Sequence, residues 1–228
     1  MRPDRILRKL KQAVEKMEGT LAERAAREAL AAGTDPIIAV NDGLAKGMKT
    51  ISDRFDDGEA FIPHLLVAAE AFERGADILT EKLTPDQYDR LIQGKILICT
   101  VQGDIHDIGK NIVKMMLMAN GFEVFDLGRD VPTETVVEKA VEYQVDIIVA
   151  GALMRTTMSS QRNIVNALNE LGIRHRFKCM FGGPPVSEEW VRLIGGDAYA
   201  ATAGQAVEMA RQLMVQIRSQ RHTVSTLA

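Results

Sequence analysis

The chain has 228 residues, of which 46% are hydrophobic, and a formal net charge of −3 at pH 7. That length suits one large domain or two modest ones, and that composition is ordinary for a chain that folds around a core. Because the charge is small and spread along the sequence, it excludes a basic nucleic-acid-binding face, and we expect protein or small-molecule partners.

The sequence contains no run of about eighteen apolar residues, the length that a membrane-spanning helix needs. Its opening stretch, MRPDRILRKLKQ, lacks the apolar core and the cleavage site of a signal peptide. Cys99 and Cys179 lie inside apolar runs without CxxC spacing, so we interpret them as buried free thiols of a reducing compartment. These features predict a cytoplasmic protein with no membrane segment.

The first part of the chain, residues 1–90, has a helical pattern. Apolar residues recur at intervals of three and four in IIAVNDGLAKGMKTISDRF, which Ala-rich LAERAAREALAA precedes and FIPHLLVAAEAFERGADIL follows. Breaks at 18–19, 33–36 and 56–58 predict four helices of about 12 to 20 residues. Thr34 or Asp35 would cap the third helix, with Pro36 in its first turn. We predict that these helices form a four-helix bundle.

The second part, residues 91–228, alternates short β-rich runs with helical segments. The β-rich runs are KILICTV, FEVFDLG, VDIIVAGAL, FKCMFGG and DAYAA. This alternation predicts a Rossmann-like (flavodoxin-like), doubly wound sheet of five parallel strands, and hence an α/β protein with a helical domain before it. In such sheets ligands bind at the carboxyl ends of the strands.

The segment GDIHDIG, residues 103–109, follows the first predicted strand. His106 is a candidate metal ligand there, and Asp104 is placed to accept a hydrogen bond from the second ring nitrogen. Gly109, at the mouth of a helix, would let a bulky group approach the backbone. One histidine cannot hold a bare metal ion, and the chain has four histidines in all. With no cysteine near His106, the metal would have to come inside a macrocycle that supplies the other ligands.

Two further loops should meet this segment at the same edge of the sheet. They are GALMRTTM after the third strand and GGPP after the fourth, where Gly182 and Gly183 would again admit a group close to the backbone. The histidine segment alone could be a strand-to-helix turn with an accidental histidine. Three such loops behind a helical bundle favour a cofactor site.

At these residues the chain resembles the cobalamin-binding module of corrinoid proteins. The likeness is specifically to the two-domain methyl-carrier subunits of methyltransferase systems and to the corresponding modules of methionine synthase. The family pattern is Asp-x-His-x-x-Gly, then Ser-x-Leu, then Gly-Gly, and this chain has DIHDIG, GAL and GG. It departs from the pattern with Gly151 in place of the serine and Arg155 in place of a common threonine. Either Thr156 or Thr157 replaces the lost hydroxyl, or the corrinoid carries a different lower base.

The resemblance implies roles for the residues of these loops. His106 would replace the nucleotide base as the lower axial ligand of cobalt, the base-off/His-on state, and Asp104 would orient it. The nucleotide tail would run beside Gly109 into the sheet, with Gly182 and Gly183 along its other wall. The implied corrinoid-binding residues are Gly103, Asp104, Ile105, His106, Asp107, Gly109, Gly151, Leu153, Thr156, Thr157, Gly182, Gly183, Ala201, Phe61 and Leu65.

The resemblance extends to the helical part, around FDDGEAFIPHLLVAAEAF. This part would be a cap over the upper face of the corrin, with Phe61, Leu65 and Leu66 as candidate contacts. The alternative is that these side chains form the core of the bundle itself. His64 lies in the same segment, and we expect it at a solvent-exposed helix position.

By resemblance, the chain would carry a methyl group on protein-bound cobalt and would not be catalytic alone. A substrate-specific methyltransferase would load the methyl group, a second one would pass it to tetrahydrofolate or a thiol, and a reductive activase would restore the cofactor. The cap would have to move, with LTPDQYDR as the hinge. A cobalamin-dependent mutase subunit and a cobalamin-binding sensor are the alternatives. The methyl donor would be chosen by the partner enzyme.

Overall fold

The computed structural model describes residues 3–81, 83–84, 87 and 91–226, without the side chains of residues 3, 56 and 222–226. The predicted hinge LTPDQYDR spans 83–90, and its residues 85–86 and 88–90 lie outside the described part. The chain divides into two compact units, one formed by Met1–Gln93 with Met118–Gly121 and the other by Gly94–Leu117 with Phe122–Ala228.

The first unit is helical, as the periodicity predicted. Its elements are α1 (Pro3–Glu15), α2 (Gly19–Ala31), α3 (Pro36–Ile38), a π-helical segment (Ala39–Leu44), α4 (Ala45–Asp56) and α5 (Ile62–Thr80). The third predicted helix is thus a continuous helical run with a π-helical segment inside it. Asp35 caps this run, because its Oδ1 accepts a hydrogen bond from Ile37 N at 2.7 Å and Pro36 fills the first turn.

The core of the helical unit consists of apolar side chains from α1, α2, the π-helical segment, α4 and α5. The large ones that are fully buried are Ile6, Leu10, Leu44, Met48, Ile51, Leu65 and Leu79. Gly43 lets α1 approach closely, since a Cβ there would lie 2.8 Å from Leu10 Cβ. The i, i+3, i+4 spacing seen in the sequence is the spacing of this buried face.

The second unit is an α/β sandwich, which confirms the predicted fold class. Its elements are β1 (Lys95–Thr100), α6 (Ile108–Ala119), β2 (Glu123–Asp126), α7 (Thr133–Glu142), β3 (Ile147–Gly151), α8 (Met158–Glu170), a 3-10 turn (Arg174–Arg176), β4 (Lys178–Gly182), α9 (Glu188–Leu193), β5 (Ala198–Ala200) and α10 (Ala203–Thr226). The five strands are parallel in the order β2-β1-β3-β4-β5. Strands β1, β3 and β4 are almost wholly buried, because helices cover both faces of the sheet.

The strand order places a topological switch point between β1 and β3. The chain leaves β1 toward β2 on one side and leaves β3 toward β4 on the other, so the two connections diverge at the carboxyl edge of the sheet. We call residues 101–107, between β1 and α6, the histidine loop. This loop and the connection after β3 flank the crevice where such folds bind ligands.

Cys99 and Cys179 are both buried and free, as predicted, and burial raises the pKa of each thiol to about 12. Among the described helices, none combines the length and the apolar character that a membrane crossing requires.

Candidate functional site

The histidine loop is anchored at both ends by hydrogen bonds. Val101 N donates to Gly151 O at 3.0 Å, and the Thr100 hydroxyl donates to the His106 carbonyl at 2.7 Å. Gly103 adopts a φ of 85°, which favours glycine, and its N–H donates to Asp130 Oδ1 at 2.7 Å. The loop therefore has a defined conformation before any ligand binds.

Asp104 is the centre of this site. Its side chain is fully buried and accepts four hydrogen bonds. Oδ1 accepts from His106 N at 3.2 Å and lies 2.8 Å from His106 Nδ1, while Oδ2 accepts from Leu153 N at 2.7 Å and from Thr157 Oγ1 at 2.8 Å. The carboxylate thus joins the histidine loop to the connection after β3, and it fills its acceptor positions in doing so.

The electrostatics of Asp104 determine the tautomer of the neutral His106 ring. Burial acts to raise the pKa of Asp104, but the hydrogen bonds from Leu153 N–H, His106 and Thr157 outweigh burial and hold the pKa below its ordinary value. An ionised carboxylate only accepts hydrogen bonds, so Nδ1 of His106 carries the proton. The lone pair of the neutral ring is then on Nε2, which is the atom available to a metal.

The surroundings of His106 are open and partly apolar. Its side chain is 51% exposed, and Nε2 has no hydrogen bond with any residue that the structure describes. The neighbouring Ile105 and Ile108 are 65% and 75% exposed. A Cβ on Gly109 would meet no described atom within 4 Å. Within the described ranges, no three His, Cys, Asp or Glu side chains group to hold a metal ion.

The connection after β3 separates the two threonines that the sequence could not distinguish. Thr157 is buried and bonded to Asp104, whereas Thr156 and Arg155 are exposed. The Thr157 hydroxyl also lies 2.9 Å from the Met154 carbonyl, and the charged carboxylate is the stronger acceptor for its single proton. At Gly151 a Cβ would come no closer than 3.9 Å to another atom, so sterics do not require glycine there.

The glycines after β4 are required by close backbone approach. A Cβ on Gly183, at a φ of 123°, would collide with Ala152 O, and a Cβ on Gly182 would lie 2.6 Å from Ala200 O. Ala152 N donates to Gly182 O at 3.1 Å, which ties the loops after β3 and β4 together. The three predicted loops thus meet at one edge of the sheet. Ala201, also among the predicted residues, is exposed after β5 at that edge.

The predicted cap residues fall into two groups in the helical unit. Phe61 is 64% exposed and Leu66 is 48% exposed, whereas Leu65 is fully buried in the core of that unit. For Leu65, the structure therefore agrees with the alternative that this side chain belongs to the core of the bundle itself. His64 is exposed, as expected, and its Nδ1 accepts a hydrogen bond from Phe61 N at 2.9 Å, which caps α5.

Sequence reasoning missed Gln161, a completely buried polar residue in the first turn of α8. Its Nε2 donates to Ala150 O at 3.0 Å and to Gly182 O at 3.2 Å, and its Oε1 accepts from Trp190 Nε1 at 3.0 Å. A signal was present in the sequence, because Gln161 lies three and four residues before Ile164 and Val165 and so falls on their apolar stripe. A polar residue on a buried stripe needs internal hydrogen-bond partners.

Comparisons with known proteins give a family for both parts of the chain. Residues 94–214 match the family described as B12 binding domain, and residues 6–80 match a second family of the same description. The trimethylamine corrinoid protein of Methanosarcina barkeri is 43% identical over 204 residues, which are 90% of this chain and 94% of that protein. The monomethylamine corrinoid protein 2 of Methanosarcina acetivorans is 43% identical over 190 residues, or 82% of this chain and 88% of that one.

A solved structure is similar over most of the chain. The crystal structure of the methanol:cobalamin methyltransferase complex MtaBC from Methanosarcina barkeri aligns with a TM-score of 0.82 at 31% identity, covering 93% of this chain and 81% of the matched one. By family match, by identity to curated relatives and by structure, the chain belongs to the corrinoid proteins, the family that carries a B12-binding domain.

Proposed function

We propose that the α/β unit binds a cobalamin-type corrinoid with His106 as the lower axial ligand of cobalt. The observation that carries this proposal is the Asp104–His106 pair, in which Nδ1 is held at 2.8 Å from a buried carboxylate and Nε2 is left to the exposed side. A carboxylate that accepts a hydrogen bond from the other ring nitrogen in this way fixes the tautomer and raises the basicity of a ligating histidine.

The residues around His106 fit a large macrocycle. The exposed side chains of Ile105 and Ile108 offer apolar surface, and the open space at Gly109 leaves room for a bulky group beside the helix. A corrin ring supplies the other cobalt ligands, so a single protein histidine suffices. In this base-off/His-on arrangement, Asp104 and Thr157 act on His106 and do not contact the cofactor themselves.

The proposed contacts come from the loops at the carboxyl edge and from the cap. In the α/β unit they are Gly103, Ile105, Asp107, Gly109, Gly151, Leu153, Thr156, Gly182, Gly183 and Ala201. We further propose that residues 1–90 are a cap domain and 91–228 the corrinoid-binding domain. The exposed Phe61 and Leu66 would shield the cofactor, and burial of Leu65 supports a core role for it.

We infer that the protein is a methyl carrier whose donor is a methylamine. When bound, the corrinoid supplies a cobalt centre that accepts a methyl group from one methyltransferase and yields it to another. Relatives named for trimethylamine, dimethylamine and monomethylamine are each 43% identical to this chain. These equal identities support methylamines as the class of donor and do not single out one amine. The protein's own part is to hold, orient and shield the cofactor, and a reductive activase would maintain its redox state. The free buried cysteines support a reducing, cytoplasmic setting.

Reconstitution with hydroxocobalamin tests the binding proposal. The parent, a His106→Ala variant and a His175→Ala control, which removes an exposed histidine from the 3-10 turn, would each be loaded and freed of excess cofactor. We expect near-stoichiometric cobalt and a histidine-ligated visible spectrum in the parent and in the control. The His106→Ala variant should lose that spectrum. Failure of the parent to retain cobalt would refute the proposal.

The donor class has a separate test. Reconstituted protein, reduced to the cobalt(I) state with a low-potential chemical reductant and kept free of oxygen, would be incubated with purified methyltransferases for monomethylamine, dimethylamine, trimethylamine and methanol, each with its isotope-labelled substrate. We expect label on the protein-bound cofactor with at least one amine enzyme and faster than with the methanol enzyme. Labelling by the methanol enzyme alone would overturn the methylamine assignment and leave the carrier role intact.

A further inference from the structure

We propose that Gln161 is a positioning residue for the cobalt ligand His106, an inference that rests on the proposed function. Gln161 does not contact His106 itself, since its three side-chain hydrogen bonds go to Ala150 O, Gly182 O and Trp190 Nε1. It acts on the site through the first turn of α8.

The first turn of α8 and the residue before it make a set of side-chain bonds to the site. Thr157 donates to Asp104 Oδ2 at 2.8 Å, and Ser160 Oγ donates to Gln102 O at 3.1 Å. Both side chains are therefore hydrogen-bonded to the histidine loop. One residue further on, Gln161 donates to Ala150 O and Gly182 O, at the carboxyl ends of β3 and β4. This turn therefore connects the histidine loop to the two neighbouring strand ends.

The burial of Gln161 gives these bonds their effect. Its side chain has no exposed surface, and every polar atom of its amide has a partner. A buried donor or acceptor that loses its partner costs about 1–3 kcal/mol, so the amide holds one orientation. Trp190 determines that orientation, because its indole N–H can only donate and requires Oε1 opposite it.

A continuous series of contacts thus runs from α9 to the exposed imidazole. Trp190 orients Gln161, Gln161 fixes the start of α8, and Thr157 at that start donates to Asp104. Asp104 in turn holds Nδ1 of His106. If the start of α8 shifts, Asp104 loses a donor, its carboxylate is held less firmly, and the Nδ1–H tautomer of His106 is less favoured.

The experiment reads the His106 tautomer in the cofactor-free protein, so it does not depend on corrinoid binding. Two-bond proton–nitrogen NMR spectra at about pH 8.5, above the ordinary imidazole pKa, report which nitrogen of each neutral ring is protonated. His64 is an internal reference of the opposite tautomer, because its Nδ1 accepts a hydrogen bond from Phe61 N–H. The parent should show His106 protonated at Nδ1 and His64 protonated at Nε2.

Three variants separate positioning from general destabilisation. Gln161→Met keeps the length of the side chain and removes its amide. Trp190→Phe removes the indole N–H and leaves the glutamine. Asp197→Asn is the matched control, because Asp197 is bonded to Cys179 N at 2.7 Å and to Arg174 at the opposite, amino-terminal edge of the same sheet. It weakens the same domain without touching the series of contacts.

We expect the His106 nitrogens to shift toward the mixed-tautomer average in Gln161→Met, to shift less in Trp190→Phe, and to stay unchanged in Asp197→Asn. Corrinoid affinity should fall about 10-fold in Gln161→Met, within the range for outer-shell partners of a metal ligand. An unchanged His106 spectrum in Gln161→Met, or an equal shift in Asp197→Asn, would overturn the proposal. If Gln161→Met does not fold, an unchanged spectrum in Trp190→Phe overturns it instead.

The two proposals fail in different ways. A tautomer shift in Gln161→Met, in a protein whose parent form does not bind hydroxocobalamin, would support the positioning role and refute the proposed function. Normal cobalt binding by the parent, with the His106 tautomer insensitive to Gln161, would support the function and refute the positioning role.

Discussion

At the scale of single residues, the site separates groups that hold His106 from groups that leave room for a ligand. Thr157 belongs to the first kind because its hydroxyl donates to the buried Asp104. Gly109 belongs to the second because nothing among the described residues occupies the space where its Cβ would be. The two kinds respond differently to substitution, which makes them separable by experiment.

Thr157→Val should destabilise the cofactor-free protein, since it replaces the donor to Asp104 by a methyl group of similar shape. We expect the free energy of unfolding in urea to fall by about 1.5–3 kcal/mol, the range for hydrogen bonds to charged groups. Thr156→Val is the matched control, because Thr156 is exposed, and it should change stability by less than about 0.5 kcal/mol. Equal effects of the two changes would contradict the assignment of the buried hydroxyl.

Gly109→Ala should leave the cofactor-free protein as stable as the parent or stabilise it by up to about 1 kcal/mol, because alanine favours the helix that begins there. The same change should weaken hydroxocobalamin binding, since the new methyl group enters the space proposed for the cofactor. Binding would be measured by equilibrium dialysis.

Gly183→Ala is the contrasting variant for that experiment. Its Cβ would collide with Ala152 O at a φ of 123°, so we expect loss of stability before any ligand is added. If Gly109→Ala binds hydroxocobalamin as tightly as the parent does, the proposed position of the cofactor beside Gly109 is wrong.

At the scale of elements, a buried ion pair holds α6 against β2. Lys110, whose side chain is 4% exposed, donates to both oxygens of Asp126 at 2.7 and 2.8 Å. Burial acts to raise the pKa of Asp126, but the hydrogen bonds from Lys110 and Gly128 N–H and the Lys110 charge hold the pKa below its ordinary value. Because α6 begins just after the histidine loop, this pair also fixes where that loop ends.

Asp126→Asn should therefore cost about 3 kcal/mol of unfolding free energy near neutral pH, since it leaves the buried Lys110 charge without its counter-ion. The folded pKa of Asp126 lies below the unfolded one, so its stabilising contribution is complete above about pH 4–5 and is lost as the pH falls through the folded value. The difference in stability between the parent and the variant should thus shrink as the pH falls through the folded pKa of Asp126.

Urea unfolding as a function of pH measures this difference. Lys114→Gln is the control. Lys114 Nζ lies 3.2 Å from the same carboxylate, but its side chain is 33% exposed, so this substitution should lower the free energy of unfolding by less than about 1 kcal/mol. A stability difference between the parent and Asp126→Asn that is independent of pH would contradict the account of this pair.

At the scale of the whole molecule, the proposed function requires both compact units to respond to the cofactor. We expect hydroxocobalamin to slow amide hydrogen exchange in the histidine loop, in residues 151–157 and also in residues 61–67 of the helical unit. The turn Arg174–Arg176, at the amino-terminal edge of the sheet, should exchange at the same rate with and without cofactor. Protection confined to the α/β unit would contradict the cap role of residues 1–90.

Much of this architecture could be read from local pattern. The change from three-and-four periodicity to alternating β-rich and helical segments predicted the helical bundle and the parallel sheet, because each burial pattern is written within a few neighbouring residues. The Asp104–His106 pair was also accessible, since the two residues are two positions apart and share one loop. Asp35 as a helix cap followed from the same kind of local signal.

Other features depend on residues far apart in the chain. The sequence by itself determined that one of two threonines, Thr156 or Thr157, could supply a hydroxyl, but only the tertiary structure placed Thr157 against Asp104, 53 positions away. The burial of Leu65 and the exposure of Leu66 were likewise decided by helix packing, and the bonds of Gln161 by the register of β3 and β4. Periodicity encodes which face of an element is apolar, whereas these contacts depend on how separate elements are brought together.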